Sequence, residues 1–220
     1  METKLNSKGK RFFAPAIAAG LMLAMALTLS CSSSNDEGGG NNGGGSSCDI
    51  KDYSTVQIGD QTWMAENLNC NIDGKCYGNN NANCAKYGRL YDWEAAKKAC
   101  PYGWHLPSNE EWDKLYRYAD STSGMNSPYS SETAGKYLKA TSGWSSGGNG
   151  TDAHGFSALP GGNGSSVDNF GSAGYYGYYW SSSEYDSDGA YYRYIYYNIE
   201  GAGWSRSDKN YLRSVRCVKD

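Results

Sequence analysis

The longest apolar stretch of the chain lies near its N-terminus, where residues 12–30 carry no charged side chain. Four basic residues precede this stretch: Lys4, Lys8, Lys10 and Arg11. A transmembrane helix is one interpretation, because the stretch is nearly long enough to span a bilayer. Pro15 and Gly20 interrupt it, however, and no basic stop-transfer residues follow it. The pattern therefore predicts an export signal over residues 1–30.

A polar segment follows this predicted signal. Residues 28–31 read TLSC and resemble a bacterial lipobox, in which the cysteine becomes the lipid-bearing first residue, although Thr28 replaces the usual leucine. Residues 32–47 are mostly Gly, Ser and Asn, which is typical of a flexible tether. We expect lipidation at Cys31, a linker over residues 31–47, and a protein held by its lipid in the bacterial cell envelope, at the outer membrane and facing outward. Secretion without a lipid is the alternative.

Residues 48–220 have the alternation of apolar and polar positions expected of one folded domain. Two short runs in residues 54–63 flank Gly59-Asp60, which predicts a β-hairpin. Asp92 is placed to cap a short helix over residues 93–99, which would end before a proline.

A longer helix is predicted to follow. Residues 108–111 read SNEE, the pattern of a capping box. The next residues put four side chains at helical spacing on one face: Trp112, Leu115, Tyr116 and Ala119. We expect this helix to end near residues 121–124, and a weaker helix over residues 132–139 to carry Leu138 inward.

Beyond Thr141 the pattern changes to long Gly-, Ser- and Asn-rich loops with short strands. Residues 190–200 alternate with period two. Tyr192, Tyr194 and Tyr196 share one face of that strand, and the other face carries Tyr191, Arg193, Ile195 and Tyr197. Residues 214–218 read as the final strand. Helices followed by loops and strands predict an α+β fold, not an alternating α/β fold.

Composition shows how such a chain can form a core. Leu, Ile, Val and Phe are scarce after residue 30, which would usually indicate disorder. The chain has 20 Tyr, 7 Trp and 7 Cys, however, and buried aromatic rings and disulfides can replace aliphatic burial. The formal net charge of −3 argues against a strongly basic nucleic-acid-binding protein.

If Cys31 carries lipid, six cysteines remain for disulfides: Cys48, Cys70, Cys76, Cys84, Cys100 and Cys217. Six cysteines allow 15 pairings. Zinc is a weaker interpretation, because the chain has only two histidines and no cysteine pair with the spacing of a zinc knuckle. Spacing favours Cys48–Cys70 around the first strand, Cys76–Cys84 around a short Asn-rich loop, and Cys100–Cys217 between a helix end and the last strand.

Six strings in chain order resemble the Fibrobacter succinogenes major paralogous domain, a bacterial surface-protein module without an established activity. They are IGDQTWMAENLN (58–69), YGRLYDW (87–93), ACPYGWHLPS (99–108), GFSALPGG (155–162), YWSS (179–182) and SVRCVKD (214–220). That family is similar in turn to C-type-lectin-like domains. The resemblance implies a C-type-lectin-like fold with two N-terminal helices, short antiparallel strands and long loops, stabilised by disulfides.

Residues 106–112 also resemble a string in formylglycine-generating sulfatase-modifying enzymes. Those enzymes use a closely spaced cysteine pair in the second half of the domain, whereas this chain has only Cys217 after Cys100. Glu110 and Glu111 are explained by helix capping, and no Ser/His/Asp order stands out. We expect no catalytic residues, and a shared fold does not carry function.

Calcium is the one cofactor that the sequence leaves open. The sugar-binding motifs of calcium-dependent lectins are absent. Residues 186–189 read DSDG and begin like an EF-hand calcium loop, but Tyr197 occupies the position of its final glutamate. A simple turn is the alternative, and we assign no metal ligand.

Aromatic density is the most unusual feature: ten tyrosines lie between residues 175 and 197. Tyrosine gives large contact area at low entropy cost, and Ser, Gly and Asn beside it adapt their hydrogen bonds, as in antibody loops. The usage of Tyr, Ser, Asn and Asp over residues 175–211 resembles the variable surfaces that diversity-generating retroelements place on this fold. The predicted ligand-binding residues are Tyr175, Tyr176, Tyr178, Tyr185 and Trp204.

Three functions remain open. Polysaccharide recognition predicts these five side chains exposed on a groove or a flat strip. Recognition of a surface protein, or adhesion, predicts them exposed on a convex patch. A structural envelope role predicts them mostly buried.

Overall fold

The computed structural model describes residues 48–120, 130–165 and 168–220. The predicted signal over residues 1–30, Cys31, the tether over residues 32–47 and the predicted helix end at residues 121–124 lie outside the described residues.

Helices and mainly antiparallel sheets make up the domain, as expected for an α+β fold. Within the described residues, the α-helices are α1 (Asn81–Tyr87), α2 (Trp93–Ala99), α3 (Asn109–Ala119) and α4 (Ala134–Leu138). The strands are β1 (Thr55–Ile58), β2 (Gln61–Met64), β3 (Leu90–Tyr91), β4 (Trp104–His105), β5 (Asn163–Gly164), β6 (Phe170–Gly171), β7 (Tyr176–Glu184), β8 (Gly189–Tyr196), β9 (Ala202–Asp208), β10 (Arg213–Ser214) and β11 (Val218–Lys219).

The strands form two main sheets and a small ribbon. One sheet has the order β1-β2-β11-β4, the larger has the order β3-β10-β7-β8-β9, and β5 pairs with β6. All of these strand pairings are antiparallel except that of β10 with β7.

Local signals correctly predicted the hairpin and the helices α2 and α3. The side chain of Asp92 accepts a hydrogen bond from the backbone N–H of Ala95 at the start of α2. Ser108 and Glu111 form the predicted capping box of α3. α4 is shorter than predicted, but its Leu138 is buried as expected.

The segment between Cys76 and Cys84 is not the loop that its composition predicted. A 3₁₀ turn leads into α1, which begins inside the disulfide and runs past it. The side chain of Asn80 accepts a hydrogen bond from the N–H of Ala82, so an asparagine expected in a loop acts as an N-cap instead.

Two predicted strands also differ from the observed ones. The strand predicted over residues 190–200 ends at Tyr196, because the next carbonyls turn toward the buried Lys139 ammonium, which donates to Tyr197 and Ile199. The final strand predicted over residues 214–218 is split between the two sheets as β10 and β11. Between them, the carbonyls of Val215 and Cys217 accept hydrogen bonds from the backbone N–H groups of Leu68 and Met64, respectively.

Two aromatic-rich clusters form the core, which explains how a chain with few aliphatic side chains buries enough surface. Trp63, Trp112, Phe156 and Tyr179 lie at the centre of the first, between α3 and one face of the larger sheet. The second packs α2 against the other face and includes Met64, Leu68, Tyr91, Trp93 and Trp180. Together they replace aliphatic packing by ring contacts.

The six cysteines form the same three pairs that their spacing favoured. Cys48 pairs with Cys70, Cys76 with Cys84, and Cys100 with Cys217, with Cα–Cα distances of 5.7, 4.8 and 5.9 Å. The third disulfide links the C-terminal end of α2 to the residue before β11.

Candidate binding face

One face of the larger sheet carries a set of tyrosines that neither core cluster covers completely. Residues directly opposite in an antiparallel pair point to the same side. The register pairs Tyr176 with Tyr196, Tyr178 with Tyr194 and Trp180 with Tyr192. We call the five half-buried tyrosines of this face the tyrosine face: Tyr176, Tyr178, Tyr192, Tyr194 and Tyr196. The alternate residues Tyr179 and Ile195 point into the first core cluster.

The rings of the tyrosine face are fixed by one another. Tyr176 and Tyr178 stack at 1° with their centroids 5.6 Å apart, and Tyr194 and Tyr196 stack at 17° and 4.6 Å. Across the two strands the rings are nearly perpendicular, with Tyr176 and Tyr196 at 79° and 4.5 Å. Such contacts contribute about 0.5–1.5 kcal/mol each beyond buried area. These contacts hold the five rings against one another and leave each of them partly exposed.

The hydroxyl groups of Tyr178 and Tyr196 stay protonated, and so remain hydrogen-bond donors, over the physiological pH range. Burial raises the pKa of Tyr178, and the neighbouring Tyr192 raises it further. Burial and the adjacent tyrosines likewise raise the pKa of Tyr196. Both groups are therefore neutral and polar where a ligand would meet them.

An arginine packs against the rings. Arg213, on β10, places its guanidinium carbon 3.6 Å from the Tyr192 ring centroid and 5.1 Å from that of Tyr178. Its Nη2 donates to Ser207 Oγ on β9 at 2.7 Å, so the side chain links β10 to β9. The tyrosine face therefore combines hydroxyl groups with a buried positive charge.

The five side chains predicted as ligand-binding do not form one surface. Tyr176 and Tyr178 belong to the tyrosine face, where they are half-buried. Tyr175, 43% exposed, contacts Tyr197 beyond the end of β8. Tyr185 and Trp204, 44% and 37% exposed, both contact Tyr191 on the opposite side of the sheet. The prediction of a single aromatic face from these five residues is corrected. Strand pairing puts Trp204 on the side of the sheet opposite Tyr176 and Tyr178, and Tyr175 and Tyr185 lie beyond the two ends of β7.

Sequence reasoning did not select four members of the site: Tyr192, Tyr194, Tyr196 and Arg213. The period-two pattern of β8 had placed the three tyrosines on one side, and only the unpredicted strand β7 makes them continuous with Tyr176 and Tyr178. No local signal marks Arg213, because its position depends on the parallel pairing of Ser214 with Tyr179.

Comparison with known proteins identifies the family. The sequence-family model of the Fibrobacter succinogenes major domain matches residues 56–219 of the chain. The chain belongs to this family. No curated protein and no solved structure matches the chain.

Two titratable side chains that could suggest another site, His105 and Asp186, have structural partners. His105 lies between Glu111 and Asp220 at 2.8 and 2.6 Å. Asp186 accepts hydrogen bonds from the N–H groups of Asp188 and Gly189 and so forms a turn. In the part of the chain that the structure describes, no three His, Cys, Asp or Glu side chains are placed to hold a metal ion.

Charged side chains line several cavities of the domain. One, of about 310 Å³, is lined by Asp52, Glu66 and Lys86 among others. Another, of about 370 Å³, contains Lys139, whose pKa is lowered by burial and whose ammonium donates to the carbonyl of Tyr196. Over residues 48–120, 130–165 and 168–220, no helix is both long and apolar enough to cross a membrane.

Proposed function

We propose that this chain is a non-catalytic binding lipoprotein of the bacterial cell envelope, anchored at Cys31 and facing outward from the outer membrane, and that it recognises polysaccharide through the tyrosine face. The observation that carries this proposal is the tyrosine face itself, five half-buried tyrosines whose rings contact one another on one side of the sheet. The N-terminal residues support the anchoring: a basic and apolar leader precedes the cysteine of TLSC, and a polar tether follows it.

The chemistry of the tyrosine face suits a hydroxyl-rich ligand. Its tyrosine hydroxyls can donate and accept hydrogen bonds, and the exposed parts of its rings offer apolar contact area to a sugar. The stacked rings lose little conformational entropy on binding, which favours affinity. The polar groups of the face are hydroxyls and Arg213, and general acid–base chemistry would need other groups in defined positions. A binding role without catalysis therefore fits the face best.

We further propose a C-type-lectin-like arrangement for the domain. Two features support it. β11, near the C-terminus, lies beside β2 of the first hairpin. The Cys100–Cys217 disulfide joins the end of α2 to the residue before β11.

Recognition of a surface protein is a second candidate, favoured by one observation. Gly203, Ser205 and Ser207 of β9 lie on the same side of the sheet as the tyrosines, because they pair with Tyr194, Tyr192 and Ala190. Tyrosine beside serine and glycine is the composition of antibody binding sites.

A binding screen tests the proposed function. The full chain, purified in detergent from bacterial envelopes, is assayed against insoluble and soluble polysaccharides with and without calcium. We expect binding to at least one polysaccharide, and a loss of about tenfold or more in Tyr176→Ala and in Tyr194→Ala, equivalent to about 1.4 kcal/mol of lost contact. Tyr185→Ala, on the opposite side of the sheet, is the matched control and should bind as wild type does.

Three results would change the proposal. Failure to bind any polysaccharide would overturn polysaccharide recognition and favour the protein candidate. Equal losses in the Tyr185→Ala control and the face variants would remove the tyrosine face as the site. Binding only with calcium would require metal ligands that we have not assigned.

A further inference from the structure

Three arginines are almost completely buried in the described part of this domain. Two of them have either a carboxylate that pairs with the charge or oxygen atoms that accept hydrogen bonds from the guanidinium. Arg193 Nη1 lies 2.9 Å from Asp113 Oδ1, and its Nη2 donates to the Asn109 carbonyl at 2.9 Å. Arg216 donates to Asn67 Oδ1 and to three backbone carbonyls, those of Met64, Phe156 and Ser157. Buried charges are normally paired or fully hydrogen-bonded in this way.

Arg213 differs from both. It is 4% exposed, yet its one hydrogen-bond partner among the described residues is the Ser207 hydroxyl. In residues 48–120, 130–165 and 168–220, no carboxylate lies within ion-pair distance of it. Burial lowers its pKa to about 10, so that the guanidinium still carries its charge at neutral pH.

Aromatic rings surround this charge without neutralising it. The ring centroids of Tyr192, Trp180, Tyr178 and Tyr211 lie 3.6, 5.0, 5.1 and 5.8 Å from the guanidinium carbon. Cation–π attraction of this kind offsets part of the cost of burying a cation. An unpaired buried charge is nevertheless costly, and an anion is the partner that the site lacks.

We propose that the ligand of the tyrosine face is an anionic polysaccharide whose carboxylate or sulfate group pairs with Arg213. This inference rests on the proposed function and names its ligand class. Tyr211 is 37% exposed, whereas Trp180 is fully buried and the tyrosines of the face around Arg213 are half-buried. The anion therefore approaches beside Tyr211. Guanidinium groups bind carboxylates and other oxyanions in a two-pronged geometry, and the tyrosine hydroxyls donate to the remaining saccharide oxygens.

The test compares ligands that differ only in charge. The full chain is assayed at low salt against oligogalacturonate and its methyl ester, and against dextran sulfate and dextran. We expect wild type to bind at least one anionic form at least tenfold more tightly than its neutral counterpart, with the preference falling as salt rises. The pair that shows the preference identifies the anion as carboxylate or sulfate.

Two arginine variants locate the charge. Arg213→Gln should bind the anionic and the neutral form with equal affinity and so lose the tenfold preference. Arg206→Gln removes the same charge on the opposite side of the sheet, where the guanidinium carbon lies 3.9 Å from the Tyr185 ring centroid, and should keep the preference. Arg213→Lys, which keeps the charge without the planar fork, should bind the anionic form with an intermediate preference. It serves as the second variant if Arg213→Gln does not fold.

The outcomes separate this inference from the proposed function. Equal binding of charged and neutral forms by wild type would overturn the inference and leave polysaccharide recognition intact. An equal loss of preference in Arg206→Gln would show that net charge acts, not Arg213. Failure to bind any polysaccharide in the screen would overturn the proposed function itself.

Discussion

His105 shows how a single side chain can tie the C-terminal residue to a helix start. Its Nδ1 lies 2.6 Å from Asp220 Oδ1, and its Nε2 lies 2.8 Å from Glu111 Oε1. Glu111 is also the capping-box residue of α3. With both ring nitrogens facing carboxylates, the imidazolium can donate two hydrogen bonds, whereas the neutral ring can donate only one.

Protonation of His105 should therefore stabilise the fold. Partial burial of the ring lowers its pKa, but the hydrogen bonds to Asp220 and Glu111 outweigh that effect and raise the pKa above 6.5. A raised pKa in the folded state gives stability that is fully present below the unfolded value and is lost as the pH rises through the folded value. Urea unfolding should show a larger difference between wild type and His105→Gln at pH 5.5 than at pH 9. An equal difference at both values would contradict this assignment.

At the scale of elements, β7 and β8 act as one unit. Their rings interlock on the tyrosine face, while Tyr179 and Ile195 of the same strands lie in the core. The ring centroid of Trp112 on α3 lies 5.7 Å from that of Tyr179, so α3 packs against the side of the sheet opposite the tyrosine face. Two strands thus connect the hydrophobic core directly to the candidate binding face.

This strand pair should control how the protein responds to alkali. The pKa values of Tyr178 and Tyr196 are raised, chiefly by burial, so both hydroxyls stay protonated in the folded state when unfolded tyrosine ionises near pH 10. The stability that they contribute is present below about pH 10 and is lost as the pH rises further. In absorbance titrations of tyrosinate, Tyr196→Phe should lose a group that ionises later than free tyrosine does. Loss of a group that ionises near pH 10 instead would contradict the burial of Tyr196.

Sequence predicted the elements whose signals are local. The hairpin, α2 and α3 each have their turn or capping residues inside the element or directly beside it. A short stretch of sequence is therefore enough to predict them. The sequence predicts one strand over residues 214–218 where the structure has β10 and β11, because the separation of these two strands depends on hydrogen bonds to residues 64–68, far away in the chain. The tyrosine face needed the register between β7 and β8, and Arg213 needed the pairing of β10 with β7. Both arise from tertiary packing, which no short pattern encodes.

At the scale of the whole molecule, the disulfides close chain loops of very different lengths. Cys100 and Cys217 are 117 positions apart, whereas Cys76 and Cys84 are separated by 8. The long loop contains α3, α4 and all of β7, β8 and β9, which form the tyrosine face and its support. The Cys100–Cys217 disulfide therefore constrains most of the domain, and the Cys76–Cys84 disulfide constrains only the start of α1.

Loss of these two disulfides should differ in cost accordingly. A cross-link stabilises mainly by restricting the unfolded chain, and the restriction grows with the logarithm of loop length. That relation gives about 5 kcal/mol for Cys100–Cys217 and about 2.5 kcal/mol for Cys76–Cys84. Urea unfolding of the double variants Cys100→Ser/Cys217→Ser and Cys76→Ser/Cys84→Ser should show the larger loss in the first. Cys217 is fully buried, whereas Cys84 is slightly exposed. A serine in place of Cys217 therefore buries its hydroxyl more completely, which adds to the larger loss of stability expected of the first variant. Equal losses, or a larger loss in the second variant, would show that the Cys100–Cys217 disulfide does not set the stability of the domain.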